Sequence, residues 1–320
     1  MAQKKITNYA KIEEDHVRFL EKQGYHVVST EPTDREAVLL EILDSHGAVA
    51  SPFVELNEEV FSRCPNLEVV GRSGVGYDSI DLEAATRHGV QIVNTPQPII
   101  EPVAEHTISL ILGAVRNLAL EDRALREGVF RVPGVAPGPE LLGKTLGIIG
   151  FGNTGQRLAE IGRLAFSMKI LYYDVRQAST EVEARLGAER RDFKDVLAES
   201  DFVSVHCNLC DATRGLLDEE AFRSMKPTAY FFNCSRGPVV VEEALVRALK
   251  EGWISGAGVD VFIEEPPPAD HPFFEIDNLV VSPHRAGRSI DSGPEVSRTV
   301  TEDVDRVLRG EKPYFPVNEL

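Results

Sequence analysis

Tryptophan occurs once in this chain, cysteine four times and histidine eight times among 320 residues. Four cysteines are too few for a disulfide framework in a chain this long. Cys207 and Cys210 form a C-x-x-C, but a zinc site needs two further ligands at suitable spacing, and Cys64 and Cys234 stand alone. A thioredoxin-type pair opens a helix, whereas this one directly follows the apolar run "FVSVH". The sequence therefore predicts no metal and reduced thiols. No apolar run approaches the roughly 18 residues of a membrane span. The first residues, "MAQKK", lack the apolar core of a signal peptide. A cytoplasmic protein without membrane contact is the expectation. Basic residues are outnumbered 51 to 34, for a net charge of −17. That disfavours nucleic-acid binding through phosphate contacts. It leaves room for a small anionic substrate, which one local arginine can hold.

What the chain has is alternation. "KKITNYA", "YHVVST", "GAVAS", "LEVVGRSG" and "VQIVNT" read as strands. Helical patterns over residues 12–23, 34–43 and 81–87 fall between them. Such alternation implies a parallel sheet with helices on both faces. "PQPIIEP" then forms a stiff connector, and one long helix is predicted over residues 103–127. A second series follows, "TLGIIG", "KILYYD", "DFVSVHC", "TAYFFNCS", "SGAGVDVF" and "NLVVSPH". Six such strands fit a doubly wound dinucleotide-binding unit. Residues 292–309 read as a charged amphipathic helix stopped by Gly310 and Pro313. The fold class is thus α/β with two doubly wound parallel-sheet domains.

"TLGIIGFGNTGQRLAEI" sets Gly150, Gly152 and Gly155 between a strand and a helix. G-x-G-x-x-G has meaning in that context. The first glycine permits a tight turn, the second lets backbone approach a pyrophosphate, and the third allows helix to pack on strand. The helix N-terminus favours an anion. A further strand ends in Asp174, about 20 residues on, where a ribose hydroxyl partner belongs. An acid there repels a 2′-phosphate, which favours NAD over NADP; Arg176 nearby tempers the preference.

Three later strand ends carry polar residues. Arg236 sits in a Ser-Arg-Gly-Pro turn, Asp260 and Glu265 in "AGVDVFIEEPPP", and His284 in "SPHRAG". Ligands of open parallel sheets bind at carboxyl ends of strands. An arginine could hold a substrate carboxylate and polarise a carbonyl. A histidine could exchange the proton, and a carboxylate could fix its tautomer. Each has a plainer reading: Arg236 as a turn cation, Glu265 as a solvated acid, Asp260 as a cap within the sheet.

These stretches, with "GRSGVGYDSIDLEAATRHGV", "PVAEHT" and "NCSRGPVVVEEALVRAL", resemble the D-isomer-specific 2-hydroxyacid dehydrogenase family in order and over nearly the whole chain. The resemblance implies a Rossmann NAD-binding domain (99–288) inserted in a flavodoxin-like substrate domain (1–98), with residues 289–320 returning to the latter. It implies a catalytic Arg236, Glu265 and His284. It implies cofactor contacts from Gly150, Gly152, Asn153, Thr154, Gly155, Asp174, Cys207, Thr213, Cys234, Ser235, Arg236, Asp260, His284 and Gly287. Substrate contacts would come from Arg72, Ser73, Gly74, Val75, Gly76 and Arg236; an arginine at the place of Arg72 contacts a phosphate in the phosphoglycerate dehydrogenase branch. The implied reaction is reversible hydride transfer between NAD(H) and a small 2-keto or 2-hydroxy acid of hydroxypyruvate, glyoxylate or 3-phosphoglycerate type. A corepressor-like NAD(H)-sensing binding protein on the same scaffold is the alternative. The apolar excess of the long helix, with the family pattern, implies a homodimer. The chain departs from the family pattern at Arg285, Thr154 and Phe130.

If Asp174 binds the ribose, Asp174→Ala shrinks the preference for NADH over NADPH. The ratio of kcat/KM values for the two cofactors checks this, and an unchanged ratio refutes the assignment.

Overall fold

A computed structural model describes residues 3–31 and 33–320. Their contacts divide the chain into two units, one running to Ile99 and resuming over Arg288–Leu320, the other spanning Ile100–Gly287.

In the first unit the order is β1 (Lys5–Asn8), α1 (Glu14–Lys22), β2 (His26–Ser29), α2 (Arg35–Ile42), β3 (Gly47–Ala50), α3 (Glu58–Ser62), β4 (Val69–Arg72), α4 (Leu82–Arg87) and β5 (Gln91–Val93). Among the described residues these strands form a five-stranded parallel sheet ordered β2-β1-β3-β4-β5. That is the flavodoxin-like order. β3 and β4 are buried at every position, because a parallel sheet is covered on both faces. Asp34, Asn57 and Asp81 cap α2, α3 and α4 by accepting from N–H groups three residues on. The five-residue α3 has too short a pattern for sequence periodicity to reveal it.

The second unit runs α5 (Ile100–Val115), α6 (Leu118–Arg126), β6 (Thr145–Ile149), α7 (Asn153–Phe166), β7 (Lys169–Tyr173), α8 (Thr180–Leu186), β8 (Ala188–Arg190), α9 (Phe193–Glu199), β9 (Phe202–Val205), α10 (Glu219–Ser224), β10 (Tyr230–Asn233), α11 (Glu242–Lys250), β11 (Gly256–Val259) and β12 (Leu279–Val281). Its seven-stranded sheet is ordered β12-β11-β10-β9-β6-β7-β8, parallel throughout. β6 is the first strand laid down, and the order reverses between it and β9. The crevice at such a switch point is where nucleotides bind. α12 (Ser292–Leu308) returns to the first unit and packs Val300, Val304 and Leu308 against Ile6, Val49 and Val69.

Two expectations change. The single long helix is two, because Asn117 adopts a left-handed backbone (φ 51°) and its side chain donates to Ala136 O at 3.1 Å. Asparagine tolerates that conformation better than most residues. The six-strand series has a seventh member, β8, whose three residues are mostly exposed and carry no alternation. Both sheets nevertheless direct their loops as the doubly wound pattern requires.

Candidate active site

The glycine-rich turn forms where β6 and β9 end side by side. Gly150 has φ 93°, and a Cβ there would stand 2.5 Å from Cys207 N. Only glycine accepts both the conformation and the approach. A Cβ at Gly155 would meet Gly150 O at 2.3 Å, so α7 sits directly on the turn. No side chain caps α7, whose first residues are Asn153 and Thr154 after Gly152. Its first-turn N–H groups are thus available to an anion. Asp174 follows β7 and accepts from Phe151 N at 2.7 Å and Arg176 N at 2.9 Å. Each carboxylate oxygen keeps a lone pair for a hydroxyl donor. Arg190 donates to the Asp174 carbonyl.

Across the switch point, Thr213 pins the 207–213 loop, accepting from Cys210 N at 2.9 Å and donating to Asn208 O at 2.7 Å. Burial pushes the Cys207 thiol up to about 11 and the Cys234 thiol up to about 12. Cys210 is exposed and lowered, chiefly by its hydrogen bond with Thr213. All four cysteines are free thiols. Cys234 and Ser235 follow β10; Asn233 Oδ1 accepts from both the N–H and the hydroxyl of Ser235. The amide of Asn233 donates to Arg236 O. Gly237 then lets this turn touch the chain after β11, since a Cβ there would lie 2.0 Å from Phe262 O.

That contact brings Arg236, Glu265 and His284 into one neighbourhood. Glu265 Oε2 lies 2.6 Å from His284 Nδ1, and Oε1 accepts from Phe262 N at 3.1 Å. Burial would raise the Glu265 carboxyl, but the His284 hydrogen bond and charge, the Phe262 N–H and the Arg236 charge together hold it below the usual range. An ionised carboxylate only accepts. Nδ1 of His284 therefore carries a proton, and Nε2 is the nitrogen that Glu265 does not engage. The imidazole is nearly half exposed.

Asp260 is fully buried. Burial would raise its carboxyl, yet hydrogen bonds with His106, Ser282, Arg285 N and Ala286 N hold it low. Its backbone carbonyl accepts from His284 N at 2.7 Å. Gly287 ends the unit just beyond. His106 and Ser282 were given no role by the sequence. The only signal was a histidine within the otherwise apolar helix face of "VAEHTISLIL".

In the first unit, the loop of Ser73, Gly74, Val75 and Gly76 follows β4. Arg72 is buried and donates to Gly76 O at 2.7 Å, Ala50 O at 3.1 Å and Ser73 O at 3.3 Å. Ser73 N donates to Ala50 O, and Gly74 N to Thr95 Oγ1. Asn94 secures Val75 O.

An uncapped helix over a glycine turn, at the switch point of this sheet order, defines a dinucleotide-binding frame. The comparisons sharpen that class. Residues 108–286 match the model of the D-isomer specific 2-hydroxyacid dehydrogenase NAD binding domain. A glyoxylate reductase of Thermofilum pendens is 40% identical over 293 residues, covering 90% of this chain and 86% of the relative. One of Pyrococcus furiosus is 38% identical over 316 residues, covering 96% and 93%. The holo D-mandelate dehydrogenase of Rhodotorula graminis superimposes with a TM-score of 0.90 at 27% identity, covering 100% of this chain and 99% of that one. The chain belongs to the D-isomer-specific 2-hydroxyacid dehydrogenase family. It is an NAD-dependent oxidoreductase acting on a CH–OH group.

One pH dependence follows from the switch point. His206, after β9, is held down to about 4 by burial, against an ordinary 6.5, and its Nε2 lies 2.8 Å from Ser204 Oγ. A histidine kept neutral by the fold contributes stability above 6.5 and loses it as pH falls toward about 4. Between pH 7 and pH 5, urea unfolding should show wild type losing roughly 2 kcal/mol more than His206→Gln. Parallel losses would assign the acid sensitivity elsewhere.

Proposed function

We propose that the protein interconverts a short, unphosphorylated 2-keto acid of glyoxylate or hydroxypyruvate type and its D-2-hydroxy acid. The observation that carries this is the 2.6 Å Glu265–His284 pair with the Arg236 charge beside it. NAD(H), when bound, supplies or takes the hydride. Gly150, Gly152, Asn153, Thr154 and Gly155 would hold its pyrophosphate and Asp174 its ribose. Residues 207–213, Cys234, Ser235, Asp260 and Gly287 would line the remainder. Arg236 binds the substrate carboxylate and draws charge onto the C2 oxygen. His284 Nε2 gives a proton to that oxygen in reduction and takes it back in oxidation. Glu265 stabilises the protonated imidazole. In the first unit, the N–H groups of Val75 and Gly76 are the candidates for substrate contact. Arg72 commits its Nε and Nη1 hydrogens to three carbonyls of its own unit, which counts against a dedicated phosphate site. The relatives described as glyoxylate reductases support the same choice.

The domain assignment follows: residues 1–98 and 289–320 form the substrate domain, and 99–288 the NAD domain. Exposed Leu112, Leu118 and Leu125 on α5 and α6 support a homodimer. The free thiols fit a cytoplasmic protein.

A keto-acid panel followed by cofactor oxidation tests the reading. Glyoxylate or hydroxypyruvate should turn over with NADH, faster than with NADPH and faster than 3-phosphohydroxypyruvate. Tight NADH binding without turnover on any member refutes it. His284→Ala should lower kcat by roughly 10²–10⁴-fold while NADH affinity holds. A variant keeping more than about a tenth of wild-type kcat removes His284 from the acid–base role.

A further inference from the structure

We propose that His106 is a positioning residue that clamps the His284 loop through Ser282 and Asp260. This rests on the reading of His284 as the proton donor.

The hydrogen-bond directions argue it. Ser282 has one hydroxyl proton, and it goes to Asp260 Oδ1 at 2.5 Å. The Ser282 oxygen must then accept from its other neighbour, His106 Nε2, at 2.8 Å. His106 therefore carries its proton on Nε2. The same nitrogen lies 3.4 Å from Asp260 Oδ1. Asp260 also takes Arg285 N at 2.9 Å and Ala286 N at 2.7 Å. One buried carboxylate thus gathers residues on both sides of His284 along the chain.

His284 needs gathering. Its φ is 50°, in the left-handed region. A side chain there is strained, and neighbouring contacts must offset the cost. His284 N is held by Asp260 O and by Ser282 O at 3.1 Å. If the loop relaxes toward extended backbone, the imidazole leaves Glu265. Among the described residues, His106 is the one member of the network outside β11, β12 and their loops. It stands on α5, which packs across β10, β11 and β12, so it ties the loop to the helical layer.

Three variants and two readouts decide the matter. His106→Phe keeps the ring and removes the donor. His106→Gln places an amide N–H near the position of Nε2. Ser282→Ala removes the bridge. With glyoxylate or hydroxypyruvate, His106→Phe should lower kcat at least tenfold, leave substrate KM within about threefold, and raise the primary isotope effect with NADH deuterated at the transferred position. His106→Gln should recover kcat to within about threefold of wild type. The Ser282→Ala/His106→Phe double variant should be no worse than either single variant, because both act through one path. Wild-type kcat in His106→Phe, or equal loss in His106→Gln and His106→Phe, overturns the proposal. The second readout is independent of turnover. The downfield proton resonance of His284 Nδ1–H, identified by its loss in His284→Ala, should persist in His106→Gln and broaden away in His106→Phe. Its persistence in His106→Phe refutes the clamp even if no keto acid is turned over. Failure of the whole panel with that resonance behaving as expected overturns the assigned reaction and keeps the clamp.

Discussion

A carboxylate with no exposed surface cannot stay ionised unless donors surround it. Asp260 is such a group, and its requirement shapes the end of the NAD-binding unit. Its donors come from Ser282, Arg285 and Ala286, with the His106 N–H behind the Ser282 hydroxyl. Satisfying the charge therefore fixes the loop that presents His284. The buried anion draws the backbone into place, and the imidazole follows because it belongs to that backbone. Glu265 and His284 can then pair at short distance without either being buried deeply.

The sheet supplies the setting. A parallel sheet covered on both faces leaves only its strand ends for chemistry, and β6, β7, β9, β10, β11 and β12 all end at candidate site residues. The close approaches at Gly150 and Gly237 set how tightly those ends converge. At the first, two neighbouring strands part around a helix N-terminus. At the second, the arginine turn and the glutamate loop come into backbone contact.

The sequence made the repetitive parts legible. Alternating apolar runs gave both sheets, and glycines between strand and helix gave the dinucleotide turn. His284, Glu265 and Arg236 stood out as candidates because polar residues at the ends of apolar runs are conspicuous. What stayed hidden depends on single backbone conformations or very short elements. Asn117 interrupts a pattern whose periodicity runs straight through it. β8 is an edge strand too brief to show a period. His106 looked like one polar residue on a helix, since its meaning depends on a serine 176 positions away. Arg72 read as a candidate phosphate ligand, and a sequence does not reveal the three carbonyls to which its guanidinium donates.

The left-handed backbone of His284 bears on how this chain can change. A residue without a Cβ, or an asparagine, would rest there more comfortably. Selection for a more durable protein would favour such a replacement and, on the proposed role of the imidazole, selection for turnover would forbid it. The position is thus a point of conflict between persistence and activity, of the kind that keeps natural enzymes short of their greatest attainable stability. Gains in robustness have to be sought in other parts of the molecule, and the donors around Asp260 are poor candidates, because they hold the strained residue in place.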